Sequence, residues 1–138
     1  MQKRLTPLIV SVFLISWIGS VLAADNSLRS IRQLANEIYR ISQDMVEHGS
    51  DGHVDEIVFY GKKILIRAET LLKEVESSDS PKIKDNKGKI VASIKETIQK
   101  TERAVRLGEN KRLRSALAAA EMASFRAKKT RRRLQTIK

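Results

Sequence analysis

The sequence predicts an all-α protein, an up-down four-helix bundle assembled from two helical hairpins, and three observations lead to that expectation. Apolar residues recur at spacings of three and four through four separate stretches, the period of a single helix face. No stretch alternates apolar and polar residues as a half-buried strand does. Short segments of turn-forming residues separate the first stretch from the second and the third from the fourth, so each pair must fold back and bury its stripes.

Taken in order, the N-terminus is a prelude. "MQKR" is basic, "LIVSVFLISWIG" is apolar, and "SVLA" carries small residues before Ala24, so residues 1–23 read as a secretory signal peptide cleaved near Ala23. The competing reading is an uncleaved anchor, because the run from Leu5 to Leu22 approaches spanning length. Helix one is expected from Ser27 to Glu47, with Leu28, Ile31, Leu34, Ile38, Ile41 and Met45 on its stripe. Gly49 and Gly52 break the pattern, and "SDG" has turn chemistry.

Helix two is expected from Val54 to Val75. "ESSDSPKIKDNKG" follows as a polar loop, with Asp79 or Ser80 placed to cap a helix starting at Pro81. Helix three carries Ile83, Ile90, Val91, Ile94, Ile98 and Val105, and "LGEN" from Leu107 to Asn110 is a second turn. The last helix has Leu113, Ala116, Leu117, Ala120, Ala123 and Ala127, small residues that let a neighbour approach closely. The bundle then spans 24–138, with hairpin one at 27–76 and hairpin two at 81–135.

The chain has no cysteine, so it has neither a disulfide framework nor a thiol for lipidation or catalysis. With no H-E-x-x-H pattern and no glycine-rich phosphate loop, an enzyme is not expected. The expected setting is periplasmic or secreted. Cleavage removes Lys3 and Arg4 and no acid, taking 27 Lys and Arg to 25 against 16 Asp and Glu, a net charge of +9. Residues 24–110 carry 15 basic and 15 acidic groups, whereas residues 111–138 carry 10 basic groups and one acid, Glu121.

A 59-residue offset matches Ile31 with Ile90, Glu37 with Glu96, Val46 with Val105, Gly49 with Gly108, Arg67 with Arg126 and Ala68 with Ala127. The chain reads as one helical hairpin written twice. It also sets the first turn, "EHGSDGH", against "RLGENKR", where Leu107 and Arg112 stand in place of His48 and His53. These are the two histidines of the chain. Imidazole is a good ligand for copper, nickel and zinc, and carboxylates complete such shells. His48 and His53 are the expected metal ligands, with Asp51 and Asp55 as weaker donors among the acids of the bend.

The "HG-x-x-GH-x-D" arrangement of His48, Gly49, Gly52, His53 and Asp55, with the exported two-hairpin bundle and Ala68 and Ala127, resembles the small metal-binding protein family of bacterial periplasms. The resemblance implies a four-helix bundle that binds several divalent metals, copper notably, through histidines recurring every seven residues. Residues so spaced lie about 10.5 Å apart along a helix rising about 1.5 Å per residue, so ligands must come from neighbouring helices or the turn. In this chain the register from His53 reaches Tyr60 and Arg67, and that from His48 reaches Ile41 and Leu34. The scaffold is kept and most of the histidines are missing, which leaves either one residual site at the first turn or no metal binding.

The rival expectation is a metal-free envelope protein. Lys128, Lys129, Arg131, Arg132 and Arg133 make the C-terminal helix attractive to an anionic surface, either lipid headgroups or an acidic protein. Export and a single aromatic in that region, Phe125, argue against nucleic acid.

Overall fold

The structure, a computed structural model, describes the backbone of residues 8–138 and the side chains of residues 26–138. The expected signal peptide begins outside the described residues, and its side chains lie outside them throughout. Among the described residues there are five helices and no strand. They are α1 (Leu8–Ser50), α2 (Val54–Ser77), α3 (Pro81–Lys84), α4 (Lys87–Glu109) and α5 (Leu113–Gln135). Among the described residues no helix is long and apolar enough to cross a membrane.

All-α is the observed class, with corrections to the element bounds: helix one starts at Leu8 and not at Ser27, and α4 runs through Leu107 and Gly108 to Glu109, where a turn from Leu107 to Asn110 was expected. Helix one does not stop at Glu47: it runs through Gly49 to Ser50. Gly49 acts there as a point of close approach, since a Cβ on it would meet Ile57 Cδ1 at 2.9 Å and Leu117 Cδ1 at 3.1 Å. Ile83 belongs to the separate turn of helix α3 and not to helix three of the sequence reading. Pro81 starts that turn because its missing amide is not needed in a first turn. Ile83 is fully buried, so the connection carries a core residue of its own.

Helix α1 packs against α2 and α5, and α4 packs against the same two. Helices α2 and α5 meet far less than either meets α1 and α4, so they lie across the core from one another. The core is the set of stripes: Leu28, Ile31, Ile38 and Met45 from α1, Ile57, Ile64, Leu71 and Val75 from α2, and Ile90 and Ile94 from α4. Helix α5 contributes Ala116, Ala120, Ala123 and Ala127, whose small side chains admit its neighbours closely. Arg32 closes the far end of α5, donating from Nε to the Leu134 carbonyl at 3.1 Å and from its terminal nitrogen to the Ile137 carbonyl.

The 59-residue offset holds in three dimensions. Arg67 pairs with Glu37 at 3.1 Å, and Arg126 with Glu96 at 2.8 Å. Gly49 abuts Leu117, and Gly108 abuts Val58, the same relation with the hairpins exchanged. The interiors differ in polarity at one level: Ser93, Thr97 and Thr130 stand where hairpin one has Leu34, Ile38 and Leu71. These hydroxyls are buried and satisfied locally, Ser93 with Thr130 at 2.8 Å and Thr97 on the Ser93 carbonyl at 3.1 Å.

Candidate metal centre

The site forms where α1 ends and α2 begins. Gly52 takes the left-handed conformation, φ 91°, that lets a helix terminate abruptly. The His53 amide then donates to the His48 carbonyl at 3.0 Å, and the Gly52 amide to the Gly49 carbonyl at 3.1 Å. This is the Schellman pattern, which brings the side chain four residues before the left-handed position against the one just after it. In this turn those two side chains are His48 and His53. Their ring centroids lie 6.3 Å apart.

His53 is also the residue immediately before α2. Glu56, three residues on, therefore falls on the same side of the new helix. His48 Nδ1 lies 2.9 Å from Glu56 Oε2. One ligand atom from each of His48, His53 and Glu56 lies within 4.8 Å of the others. Tyr60, one turn further along, stacks on the His48 ring at 5.3 Å and 15° and fixes its plane. His48 and Glu56 are partly exposed and His53 is exposed, so the cluster opens to solvent.

Two of the four expected ligands are not brought to it. Asp51 is exposed on the turn and outside the group. Asp55 is ion-paired with Lys111 of the second turn. At about 100° per residue, position 55 lies roughly 200° around the helix from His53 and position 56 within roughly 60° of it, so the carboxylate that arrives is Glu56. Glu56, an acid of the same bend, is not among the ligands expected from the sequence. The missing step was to place His53 just before the helix, after which the three-residue spacing identifies it.

Arg67, where the seven-residue register leads, is occupied with Glu37. Met45, a soft sulfur in principle, is fully buried in the core. The basic run of α5 is spread around its helix. Arg131 lies over the Tyr39 ring at 4.4 Å, and Arg133 donates to the Lys89 carbonyl at 2.8 Å. Lys128 is partly buried, while Lys129 and Arg132 are exposed.

Comparison with known proteins finds no family model, no curated protein and no solved structure that matches the chain.

Proposed function

We propose that this protein is an exported four-helix bundle of up-down connection, similar to the small metal-binding proteins, that holds one divalent ion at its first inter-helix turn. The observation that carries the reading is the convergence of His48, His53 and Glu56, with one ligand atom each inside a 4.8 Å span. A tetrahedral ion holds its nitrogen and oxygen ligands roughly 3.4 Å apart, and side-chain rotations at an exposed site cover that difference. Two imidazoles and a carboxylate suit copper, nickel or zinc, and they leave coordination positions for water.

Glu56 has two uses. Beside Nδ1 it can orient the His48 ring and leave Nε2 for a metal, the usual support of a ligating histidine, and turned outward it is itself a ligand. The side-by-side packing of α1, α2, α4 and α5 around one core supports the bundle. The turn opposite, with Leu107 and Arg112 at the matching positions, supports the confinement of binding to the first turn.

Calorimetric titration with Cu²⁺ and Ni²⁺ tests the proposal, with a His48→Ala/His53→Ala variant alongside. Saturable heat that disappears in the variant is the expected result. No heat from the parent protein, or the same heat from the variant, would sink it.

A further inference from the structure

Among the described residues, four large apolar side chains are exposed: Phe59 at 53%, Ile66 at 64%, Met122 at 44% and Phe125 at 59%. They are not scattered. On α2, Phe59, Lys63, Ile66, Thr70 and Lys73 follow one another at spacings of four and three, and all are exposed. On α5, Ala118, Met122, Phe125, Lys129 and Arg132 do the same. The second row is the first displaced by 59 positions. Each therefore runs about 21 Å along its helix.

Both rows point directly away from the core. The buried residues of α2, Ile57, Gly61, Ile64, Ala68, Leu71 and Val75, lie within about 40° of one direction, and Phe59, Ile66 and Thr70 lie roughly 180–220° from it at 100° per residue. The same holds on α5, where Ala116, Ala123 and Ala127 face inward. Since α2 and α5 lie across the core from each other, the two rows face in opposite directions. Each combines two large apolar side chains with two cations, and neither contains an acid. Lys63 sits over the Phe59 ring at 4.3 Å, so apolar and cationic groups share one surface.

We propose that these rows are two equivalent docking faces for anionic phospholipid bilayers, and that the protein bridges two such surfaces. Cations beside exposed aromatic and aliphatic groups match a lipid interface, where phosphates lie above acyl chains. A second copy of this chain is disfavoured because the rows would oppose like charges. A polynucleotide satisfies the cations but offers no apolar layer to Ile66 and Met122. An acidic protein would need a fitted pocket for each protruding side chain, whereas a bilayer accepts them anywhere in its plane.

The test is cosedimentation of the full chain with phosphatidylcholine/phosphatidylglycerol vesicles and with pure phosphatidylcholine vesicles, read together with turbidity. The expected result is binding and clustering of the anionic vesicles at low salt, both reversed by added salt. Lys129→Gln/Arg132→Gln and Lys63→Gln/Lys73→Gln each silence one face: clustering disappears and binding remains. The quadruple variant loses roughly 30-fold or more in partitioning, from about 1.4 kcal/mol per tenfold and about 1 kcal/mol per cation. All four positions are exposed, so circular dichroism should match the parent.

Clustering that survives either double variant, a quadruple variant that binds like the parent, or equal binding to neutral vesicles would overturn the proposal. Equal affinity for duplex DNA, lost in the same variants, would assign the faces to nucleic acid instead.

Discussion

The two inter-helix turns share a backbone and differ in what they carry. In the first, His53 donates to the His48 carbonyl at 3.0 Å, and in the second Arg112 donates to the Leu107 carbonyl at 3.0 Å. Gly52 and Lys111 hold the same left-handed position, with φ 91° and 55°. The residues just before the next helix are again alike, His53 at φ −84°, ψ 78° and Arg112 at φ −89°, ψ 69°. Leucine and arginine complete this turn as well as two histidines do. The imidazoles are therefore not a requirement of the fold, and their meeting with Glu56 is the feature on which the proposed metal site rests.

The largest expected effect comes from exchanging that chemistry between the turns. His48→Ala/His53→Ala is expected to abolish the metal response. Leu107→His/Arg112→His/Ser115→Glu copies the trio onto the second turn, because position 115 matches 56 at the same offset. Calorimetry on this variant is expected to show a second equivalent of Cu²⁺, bound more weakly because Lys111 lies in the turn. One equivalent only would mean that the first turn supplies something besides its backbone and these three side chains.

Next in size are the glycines that let the hairpins touch. A Cβ at Gly108 would meet Val58 Cγ2 at 2.7 Å, whereas at Gly49 the nearest atom is Ile57 Cδ1 at 2.9 Å. Valine is stiff about χ1 and the isoleucine tip is not. Gly108→Ala is thus expected to cost about 1–2 kcal/mol from overpacking, despite the better helix propensity of alanine. Gly49→Ala should stay within about 1 kcal/mol of the parent. Urea denaturation of the pair measures the difference, and the reverse order would show that the second turn is the softer one.

How far the sequence carried these conclusions varies by region. The stripes of α1 and α2 were legible because they are apolar at helical period. That of α4 was only half legible: Ser93, Thr97 and Thr101 are buried, and their hydroxyls interrupt the apolar signal, the threonines donating to carbonyls of their own helix and Ser93 bonding to Thr130. The histidines were legible as candidates, but their approach depends on the left-handed φ of Gly52, and the choice of Glu56 over Asp55 depends on where α2 begins. The split of the basic run was invisible as well. Consecutive residues point about 100° apart on a helix, so a run that looks like one patch in the sequence becomes a ring around α5.

The left-handed position offers a smaller and signed test. Lysine there carries a Cβ clash that glycine lacks, worth about 1 kcal/mol. Lys111→Gly is expected to stabilise by about that much, since the ion pair it gives up with Asp55 is exposed and worth little. Gly52→Ala is expected to destabilise by about 1 kcal/mol, for the same reason with the sign reversed. Thermal melts showing both shifts would make the two turns one device with different residues installed. A destabilised Lys111→Gly variant would mean that the lysine contributes a contact that outweighs its backbone cost.

The smallest effect separates the two matched ion pairs. Arg126 has a side chain 26% exposed against 48% for Arg67, while Glu96 is 46% exposed against 32% for Glu37. Exposed pairs couple by about 0.2–1 kcal/mol, because water screens them and ordering two long side chains costs entropy. The more covered guanidinium loses less of its field to solvent and gives up less freedom on pairing. Double-mutant cycles with Glu→Gln and Arg→Gln at each pair are therefore expected to give the larger coupling for Glu96 and Arg126, by a few tenths of a kcal/mol. Both couplings should shrink in high salt. A larger coupling at Glu37 and Arg67 would place the advantage with the better-covered carboxylate, and the hairpins would then differ in which partner of the pair their packing protects.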